Sequence, residues 1–534
     1  MTSRPVIAVI GGGAAGTAFL AACARELSAD SREFAADIHV FDPTDRFGPG
    51  VAYARDTHAA LLNRPLSAMS VDYNDPGQFR RWLNRSAEQL RSTAIPLDWK
   101  AASAFAPRAA FGHYLEGVFA GACDDLEHLG ARVTTVRSSV TGIAEVTEAT
   151  EAAGVSGVAG ATGTGRAAEG PAAYAITTAD GMTFTADSVI LAVGTLPPVD
   201  VFGLADAPGF IAQPYPLAPS LACVDPADRV LVLGTGLTAV DSALVLTEQG
   251  VGVTLASRSG FVPDVRSSPV SRWDDPEHSF GGLELASRGA VTLRDIYTLI
   301  DSSLRDHGTS LRDAVRPYAE RWPAAELLRS RLADPGPAGL LQRCVTALTP
   351  AYSALWRALP PGEQRAFLRR HHRAFACLRN PMPPVNARKL VALAEAGDAG
   401  FRRGVTAVRS EPGGGFTASY ADGSTERYDR VVNAVGRTND LTAAPEGSLL
   451  RDLARRSLVA AHPAGGIQVE PESNRALRPD GTPRPGFHVV GDLASGVHFH
   501  SSSMEYVARQ AARVARYSVD EHDREPDRYA LQAV

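Results

Sequence analysis

The sequence predicts an α/β fold with two Rossmann-like dinucleotide-binding lobes and a helical insertion. A glycine-rich turn follows a short apolar run twice, at residues 11–16 (GGGAAG) and at residues 234–239 (GTGLTA). An apolar run of this kind is typical of a parallel strand buried on both faces. The glycines that follow let the backbone and a helix N-terminus approach a pyrophosphate. The 534 residues are also too many for one compact core and suit two or three domains.

The elements of the first lobe follow in the expected order. Residues 6–10 (VIAVI) predict the first strand, and residues 17–26 the helix behind the glycine turn. Residues 37–41 predict a second strand that ends at Asp42, near the spacing expected for an acid that bonds a ribose hydroxyl.

A third motif, Gly491-Asp492, follows two valines near the C-terminus. One dinucleotide fingerprint indicates only a nucleotide. Two fingerprints and a late Gly-Asp together indicate a flavin and a nicotinamide coenzyme in one protein, and hence redox chemistry.

The second lobe opens at the second fingerprint, behind the run 230–233. Its next strand, 252–256, ends at Ser257-Arg258, where no acid stands. A hydroxyl and a guanidinium suit a 2′-phosphate, so the pattern favours NADPH over NADH. The alternative is an exposed arginine without a ligand.

Two similar strands recur, at residues 187–195 and 430–437, each ending in a glycine turn. Each would close one lobe and lead the chain to the other. We therefore expect an FAD-binding domain over 1–222 and 437–534, and an NADPH-binding domain over 223–265 and 386–436. Residues 144–173, without apolar periodicity, predict a mobile surface loop.

Residues 266–385 predict a helical insertion, since segments such as 293–304, 311–316 and 351–359 show helical spacing. We expect a substrate cap over the active site. A purely structural helical subdomain is the alternative.

Composition narrows the class of protein. A net charge of −6 gives no argument for nucleic-acid or membrane partners. The five cysteines form no CxxC pair and no metal-ligand spacing, which disfavours both a metal site and electron transfer to a disulfide. With the first strand near residue 6 and no long apolar run, we expect a cytoplasmic protein.

The order of these motifs resembles the two-dinucleotide-binding flavoproteins, which include glutathione-reductase-like enzymes and class B flavin monooxygenases. The segments 46–53, 61–63, 69–70 and 107–115 are similar to an FAD/NAD(P)-binding subfamily. Some of its relatives resemble nitrosuccinate-forming aspartate N-monooxygenases. The Baeyer–Villiger fingerprint and the signature of the ornithine and lysine N-hydroxylases are missing, although residues 63–70 occupy a comparable place.

The resemblance implies that FAD and NADPH are the cofactors. The residues that it assigns to cofactor binding are Gly11, Gly13, Ala14, Ala15, Gly16, Asp42, Gly50, Asn63, Gly194, Gly234, Gly236, Leu237, Ala239, Ser257, Arg258, Gly436, Gly491 and Asp492.

The stretch after Gly491-Asp492 would run beneath the flavin ring. His498 and His500 are candidates for proton transfer there, or merely cap a helix and contact the flavin. Arg64 is a candidate clamp for a substrate carboxylate, with Arg373 and Arg379 as further candidates. Alternatively, Arg64 pairs with an FAD phosphate or an internal acid.

The resemblance implies an NADPH-dependent flavin monooxygenase, an oxidoreductase. In such enzymes a C4a-hydroperoxyflavin formed from O2 oxygenates the substrate, here the amino group of a small amino acid such as L-aspartate. An FAD-dependent reductase or dehydrogenase that passes electrons to a non-disulfide acceptor is the first alternative. A protein that holds FAD only structurally is the second.

Overall fold

The computed structural model describes residues 4–30, 32–91, 105–146, 174–267, 281–499 and 501–530. Its strands in chain order are β1 (Val6–Ile10), β2 (Asp37–Phe41), β3 (Arg132–Val136), β4 (Val140–Glu145), β5 (Tyr174–Thr178), β6 (Thr183–Ala186), β7 (Ser188–Leu191), β8 (Phe210–Ile211), β9 (Val230–Leu233), β10 (Val253–Ser257), β11 (Ala399–Arg403), β12 (Val405–Ser410), β13 (Phe416–Tyr420), β14 (Thr425–Tyr428), β15 (Arg430–Asn433), β16 (Arg475–Leu477) and β17 (Pro483–Val489).

The α-helices in the same part of the chain are α1 (Ala14–Ala29), α2 (Gln78–Arg91), α3 (Arg108–His128), α4 (Leu217–Leu221), α5 (Leu237–Glu248), α6 (Gly282–Ser287), α7 (Leu293–Arg305), α8 (Leu311–Ala319), α9 (Ala324–Ala333), α10 (Gly336–Ala347), α11 (Tyr352–Ala358), α12 (Pro361–Arg370), α13 (His372–Arg379), α14 (Pro384–Ala396), α15 (Leu449–Arg455), α16 (Ser495–His498) and α17 (Met504–Ala530). Short 3-10 helices lie at Val51–Tyr53, Leu66–Ala68, Thr349–Ala351, Leu441–Ala443 and Asp492–Ala494.

The first lobe is built on a six-stranded sheet with the order β16-β17-β7-β1-β2-β3. β1 is parallel to β2 on one side and to β7 on the other, and only the pairing of β16 with β17 is antiparallel. The apolar run of β1 is buried because helices cover the sheet; α1 packs between α3 and α17.

The second lobe repeats this plan with a parallel sheet in the order β11-β10-β9-β15-β8. Each lobe also has a three-stranded antiparallel sheet, β4-β5-β6 in the first and β12-β13-β14 in the second. The strand that follows it in the chain, β7 or β15, pairs with the first strand of its lobe's parallel sheet, β1 or β9. This repetition confirms the predicted α/β fold with two Rossmann-like lobes.

One expected boundary differs from the structure. The sequence pattern places residues 210–222 in the first lobe, but β8 extends the sheet of the second lobe by pairing with β15. The helix α4 then contacts α5 of the same lobe. A two-residue strand carries no periodicity, so the sequence pattern could not assign it.

Helices occupy the insertion, as its periodicity predicts. The chain leaves the second sheet at the end of β10 and returns through α14 to β11, which is the neighbour of β10. The helices between share one hydrophobic core with the second lobe, and their fully buried side chains include Leu304, Ala314 and Leu328. Residues 268–280 of the insertion, and residues 147–173 of the predicted loop, lie outside the described residues.

The chain crosses between the lobes twice, and the two crossings touch. Pro198 lies on the way out and Arg437 on the way back, and these two residues form an antiparallel bridge. A buried ion pair also joins the lobes: Arg108 on α3 lies 2.8 Å from Asp241 on α5.

Candidate functional site

The first glycine turn is shaped by close backbone contacts. Gly11 has φ of +109°, and a Cβ placed there would stand 2.4 Å from the carbonyl oxygen of Ala192. A Cβ on Gly16 would stand 2.1 Å from the carbonyl oxygen of Gly11. Both positions therefore require glycine, as a turn that brings the backbone against a pyrophosphate does.

The helix behind this turn has a free N-terminus. Gly13 is the N-cap of α1 and supplies no side-chain cap, and the first turn, with Ala14 and Ala15, holds no acid. Asp42 accepts a hydrogen bond of 2.9 Å from the Gly12 amide, at the end of β2. The uncapped amides and the helix dipole suit a phosphate, so this turn fits the FAD pyrophosphate.

Other predicted FAD residues gather around this turn. Gly50 has φ of +59°, and its Cα would lie 3.2 Å from a Cβ on Gly13. Gly194, with φ of +78°, faces open space, since no heavy atom lies within 4 Å of a Cβ placed there. The Oδ1 atom of Asn63 is buried without a hydrogen-bond partner among the described residues. Such an orphaned acceptor suits a cofactor that donates a hydrogen bond.

Gly491 and Asp492 meet the same turn from the C-terminal end of the chain. A Cβ on Gly491 would lie 3.8 Å from the Cβ of Ala15, and the Gly491 amide donates to Gln510 at 2.8 Å. Ser501 donates weakly to the Asp492 carboxylate at 3.4 Å. Burial raises the pKa of Asp492, and the guanidinium of Arg437 opposes that shift.

The second glycine turn repeats the geometry of the first. Gly234 has φ of +118°, and a Cβ there would stand 2.2 Å from the Ala434 carbonyl oxygen. Gly236 is the N-cap of α5, again without a side-chain cap, and Leu237 begins the helix. Ala239 is fully buried, and so takes the close-packing position of the third glycine. The turn therefore fits a second pyrophosphate.

The two residues after β10 differ in exposure. The sequence pattern predicts Ser257 as a ligand of the 2′-phosphate. Its hydroxyl instead lies 2.9 Å from that of Thr235 and accepts from the Gly260 amide at 3.0 Å. Thr235 donates its own hydroxyl proton to the Phe261 carbonyl. The Ser257 hydroxyl therefore donates its proton to Thr235, and that proton is not available to a phosphate. Arg258 is exposed and lines the cavity described next.

A cavity of about 1310 Å³ lies between the lobes and the insertion. The residues of the second lobe that line it include Gly234, Gly236, Leu237, Ser257, Arg258 and Gly436. Asp492 lines it from the first lobe, and Arg369, His372 and Arg373 line it from the insertion. The second glycine turn and the flavin-side Asp492 therefore face one common space.

The insertion packs directly on the segment after Asp492. The indole Nε1 of Trp356 donates to the Gly496 carbonyl at 2.8 Å. The ring of Phe499 stacks on that indole at 4.7 Å, with φ of +64° at Phe499. A phenylalanine with a positive φ is strained, and this conformation persists only where the surrounding contacts hold it. These contacts hold α11 of the insertion against the segment that follows Asp492.

His498, a candidate for proton transfer, is not among the residues that line the cavity, and both of its ring nitrogens are hydrogen-bonded. Its ring is 3% exposed, with Nε2 2.8 Å from Asn474 Oδ1 and Nδ1 3.0 Å from the Ser353 hydroxyl. Asn474 donates its amide to the Val489 carbonyl, so its Oδ1 accepts and Nε2 carries the proton. Burial, with Arg513 and Arg357 nearby, lowers the pKa of His498 to about 3. The ring is a neutral structural link, and His500 lies outside the described residues.

The candidate substrate arginines lie at different places. Arg64 forms an ion pair of 3.0 Å with Glu505, which matches the internal-acid alternative. Arg373 is exposed to the cavity. Arg379 is 3% exposed and donates to the Thr349 hydroxyl at 3.2 Å.

Sequence reasoning missed Arg437, whose guanidinium donates to the Thr195 hydroxyl and lies near Asp492 in the cavity. Its place beside Gly436, in the second of the two similar strands, could have indicated it. Arg369 and His372 had no such signal, because a helix face that lines a cavity looks like any polar face.

The described residues offer no sign of disulfide, metal or membrane-spanning function. The five cysteines are all unpaired, and burial raises the pKa of Cys377, which lines the cavity, to about 12. Across the described residues, no His, Cys, Asp or Glu side chains group closely enough to hold a metal ion. None of the described helices combines the length and apolar character needed to cross a bilayer.

Comparison with known proteins agrees with this geometry. Residues 8–164 match the family model described as FAD-NAD(P)-binding. A search of curated protein sequences found no match.

Solved structures match over nearly the whole chain. The reduced form of ornithine hydroxylase from Pseudomonas aeruginosa is 13% identical, with a TM-score of 0.57 over 98% of this chain and 100% of that one. L-lysine 6-monooxygenase from Pseudomonas syringae is 14% identical, with a TM-score of 0.57 over 97% of this chain and 99% of that one. Ornithine N-hydroxylase from Kutzneria sp. 744 was solved with reduced FAD, NADP⁺ and L-ornithine. It is 15% identical, with a TM-score of 0.54 over 97% of this chain and 100% of that one. The chain thus has the fold of these amino-acid hydroxylases, and its residues 8–164 are similar to domains described as FAD-NAD(P)-binding.

Proposed function

We propose that the chain is an FAD- and NADPH-dependent monooxygenase that transfers one oxygen atom of O2 to the amino group of a small amino acid, such as L-aspartate. One observation carries the proposal: the second glycine turn and Asp492 of the first lobe line a single cavity. A nicotinamide coenzyme on that turn would face the flavin edge across this space.

The residues of the first lobe would hold FAD. The uncapped N-terminus of α1 would bind the pyrophosphate, and Asp42 the adenosine ribose. Asn63 and Asp492 would contact the flavin half. Bound FAD would supply the redox and oxygen-activating chemistry, which these residues hold in place.

The second lobe would hold NADPH through the uncapped N-terminus of α5 and through Arg258. Arg369 and Arg373 of the insertion carry further positive charge into the same cavity, which suits the coenzyme phosphates.

The insertion would keep water from the reacting edge. Trp356, Phe499 and the Ser353–His498 contact close that side with aromatic surface and satisfied polar groups. A flavin monooxygenase needs this closure, because water favours loss of the activated oxygen as peroxide. His498 is neutral and has both ring nitrogens hydrogen-bonded, so it would support this wall and would not act as a catalytic base.

The test is oxygen consumption by the FAD-loaded protein with NADPH, over a panel of amino acids led by L-aspartate, with peroxide and product mass recorded together. We expect one amino acid to raise oxygen uptake and to gain oxygen on nitrogen. Gly236→Ala serves as the control that loses NADPH-dependent uptake. Slow uptake that ends only as peroxide, whatever is added, would instead favour the reductase with a non-disulfide acceptor.

A further inference from the structure

Phe499 has a backbone conformation that its side chain disfavours. Its φ is +64° and its ψ is −119°. This combination belongs to the first central residue of a type II′ turn, a position that glycine normally occupies. Among the described residues, the other non-glycine residues with a positive φ are Arg321, Ser457 and Asn474, none of them aromatic. A bulky residue in this conformation is strained, so the contacts around it must hold it there.

The contacts that hold Phe499 come from the insertion. Trp356 stacks on the Phe499 ring with 4.7 Å between the ring centroids. Phe375, Phe367 and Tyr352 surround the same ring at centroid distances of 5.5, 5.6 and 5.9 Å. The four rings lie on α11, α12 and α13, and we call them the aromatic cage. Three helices of the insertion therefore fix one side chain of the first lobe.

The neighbours of Phe499 in the chain pack elsewhere. Ala494 and Val497, before it, belong to one core of the first lobe. Met504 and Val507, after it, belong to the other core of that lobe. The Phe499 ring instead packs against the core that the insertion shares with the second lobe. It is thus a link between the insertion and the segment that follows Asp492.

This segment runs from Phe499 to the wall of the cavity. The Phe499 amide donates to the Ser495 carbonyl at 2.6 Å. Two residues beyond Phe499, the Ser501 hydroxyl is buried and donates weakly to the Asp492 carboxylate at 3.4 Å. Ser502 is exposed and lines the cavity together with Asp492. The direction of the chain at Phe499 therefore decides where both serines lie relative to Asp492.

We propose that Phe499 is a positioning residue of the cofactor site. The aromatic cage holds its ring and thereby keeps the strained turn that brings Ser501 to Asp492 and Ser502 to the cavity. This rests on the proposed function, in which Asp492 contacts the flavin half of FAD. Without the cage, the backbone of Phe499 would relax to a negative φ and turn the two serines away from these positions. The insertion thus strengthens FAD binding through Phe499.

The test measures how tightly the oxidised holoenzyme holds FAD in the absence of NADPH, by the fluorescence of the flavin that is released on dilution. Phe499→Ala removes the ring and should raise the Kd for FAD at least tenfold and change the visible circular dichroism of the flavin that stays bound. Phe499→Leu keeps apolar bulk in the cage and should raise the Kd at least threefold, which decides the question if the alanine variant does not fold.

Phe367→Ala is the matched control. It removes a buried ring from the same cage but leaves Phe499 in contact with the other three. We expect its Kd for FAD to stay within about twofold of the parent even though its unfolding temperature falls. An equal loss of FAD affinity in Phe367→Ala and Phe499→Ala would overturn the proposal in favour of a general loosening of the insertion.

Phe499→Gly separates the strain from the ring. Both this variant and Phe499→Ala lack the ring, but only alanine is strained by the positive φ. On the full-length chain freed of FAD, Phe499→Gly should therefore unfold at a higher temperature than Phe499→Ala, the reverse of the usual order. A lower unfolding temperature for the glycine variant would remove the strain on which the proposal stands. Early unfolding of Phe499→Ala with parent-like FAD affinity would show a purely structural role and overturn it.

The positioning role and the proposed function fail in different ways. If FAD affinity depends on Phe499 as expected but no amino acid stimulates oxygen uptake, the positioning role holds and the monooxygenase function fails. If an amino acid is oxygenated and Phe499→Leu holds FAD as tightly as the parent, the function holds and the positioning role fails.

Discussion

One carboxylate oxygen of Asp241, on α5 of the second lobe, accepts two hydrogen bonds. The charged donor is Arg108 of the first lobe, at 2.8 Å. The other donor is the Tyr215 hydroxyl, at 2.5 Å. The Asp241 side chain is wholly buried. Burial raises the pKa of this carboxyl and Arg108 opposes the shift, so the ion pair links the two lobes through an interior contact.

Asp241→Asn should therefore destabilise the protein by about 3–5 kcal/mol, because it leaves the Arg108 charge buried without a counter-charge. Denaturant unfolding at pH 7 measures the change. Asp228→Asn, which removes the partly exposed pair with Arg430, is the control and should lose under about 1 kcal/mol. Equal losses in the two variants would contradict an interior role for the interlobe pair.

The second glycine turn offers a matched pair of variants. A Cβ on Gly236 would meet no heavy atom within 4 Å, so Gly236→Ala should fold normally, bind FAD, and lose NADPH affinity because the methyl group enters the pyrophosphate space. Gly234→Ala would press on the Ala434 carbonyl and should also lower the unfolding temperature. Coenzyme titration and thermal unfolding of both variants separate the effects. Parent-like NADPH binding by Gly236→Ala would refute this turn as the coenzyme site.

Arg258 should distinguish the two nicotinamide coenzymes. Arg258→Ala should raise the KM for NADPH about tenfold or more, on the order of 1.5–3 kcal/mol for a charge-assisted bond, and leave NADH nearly unchanged. Steady-state kinetics with both coenzymes measures the ratio. An equal loss for both would show that Arg258 does not read the 2′-phosphate.

His498 should make stability depend on pH. Its folded pKa of about 3 lies below the ordinary 6.5, so the unfolded chain takes up more protons as the pH falls below 6.5. The stabilisation is fully present above pH 6.5 and is lost on acidification towards pH 3, by about 2 kcal/mol between pH 6.5 and 5. His498→Gln should flatten the unfolding free energy over this range, whereas His128→Gln, on the exposed end of α3, should keep the parent slope.

Trp356 tests the closure by the insertion. Trp356→Phe keeps an aromatic ring on Phe499 but leaves the Gly496 carbonyl without its donor, at about 1–3 kcal/mol. We expect a larger share of the oxygen consumed to appear as peroxide, because water reaches the flavin edge more easily. Peroxide per NADPH oxidised, measured beside Trp322→Phe on the outer side of the insertion, checks this. Unchanged coupling would place the insertion away from the reacting edge.

Local patterns predicted the two glycine turns well, for a physical reason. Gly11 and Gly234 both adopt a positive φ, which glycine allows by itself, so each motif carries much of its own geometry. The strands at 6–10 and 37–41 also appear where their apolar runs predict.

The site beyond the turns depends on residues far apart in the chain. His498 is held by Asn474 and Ser353, and Arg266 by Asn63, pairings that no periodicity encodes. The hydroxyl of Ser257 is taken by Thr235 for the same reason. A sequence pattern shows which residues can do chemistry, whereas long-range packing decides which of them are free to do it.

The touching crossings at Pro198 and Arg437 constrain how the molecule can move. Two connections that meet at one place act as a single hinge axis, about which the lobes could swing. The Arg108–Asp241 pair adds an interior link beside the crossings, since Arg108 lies close enough to Arg437 for the two charges to interact. The crossings and this pair together hold the two lobes as one frame around the cavity, so the space for a coenzyme is formed before the coenzyme binds.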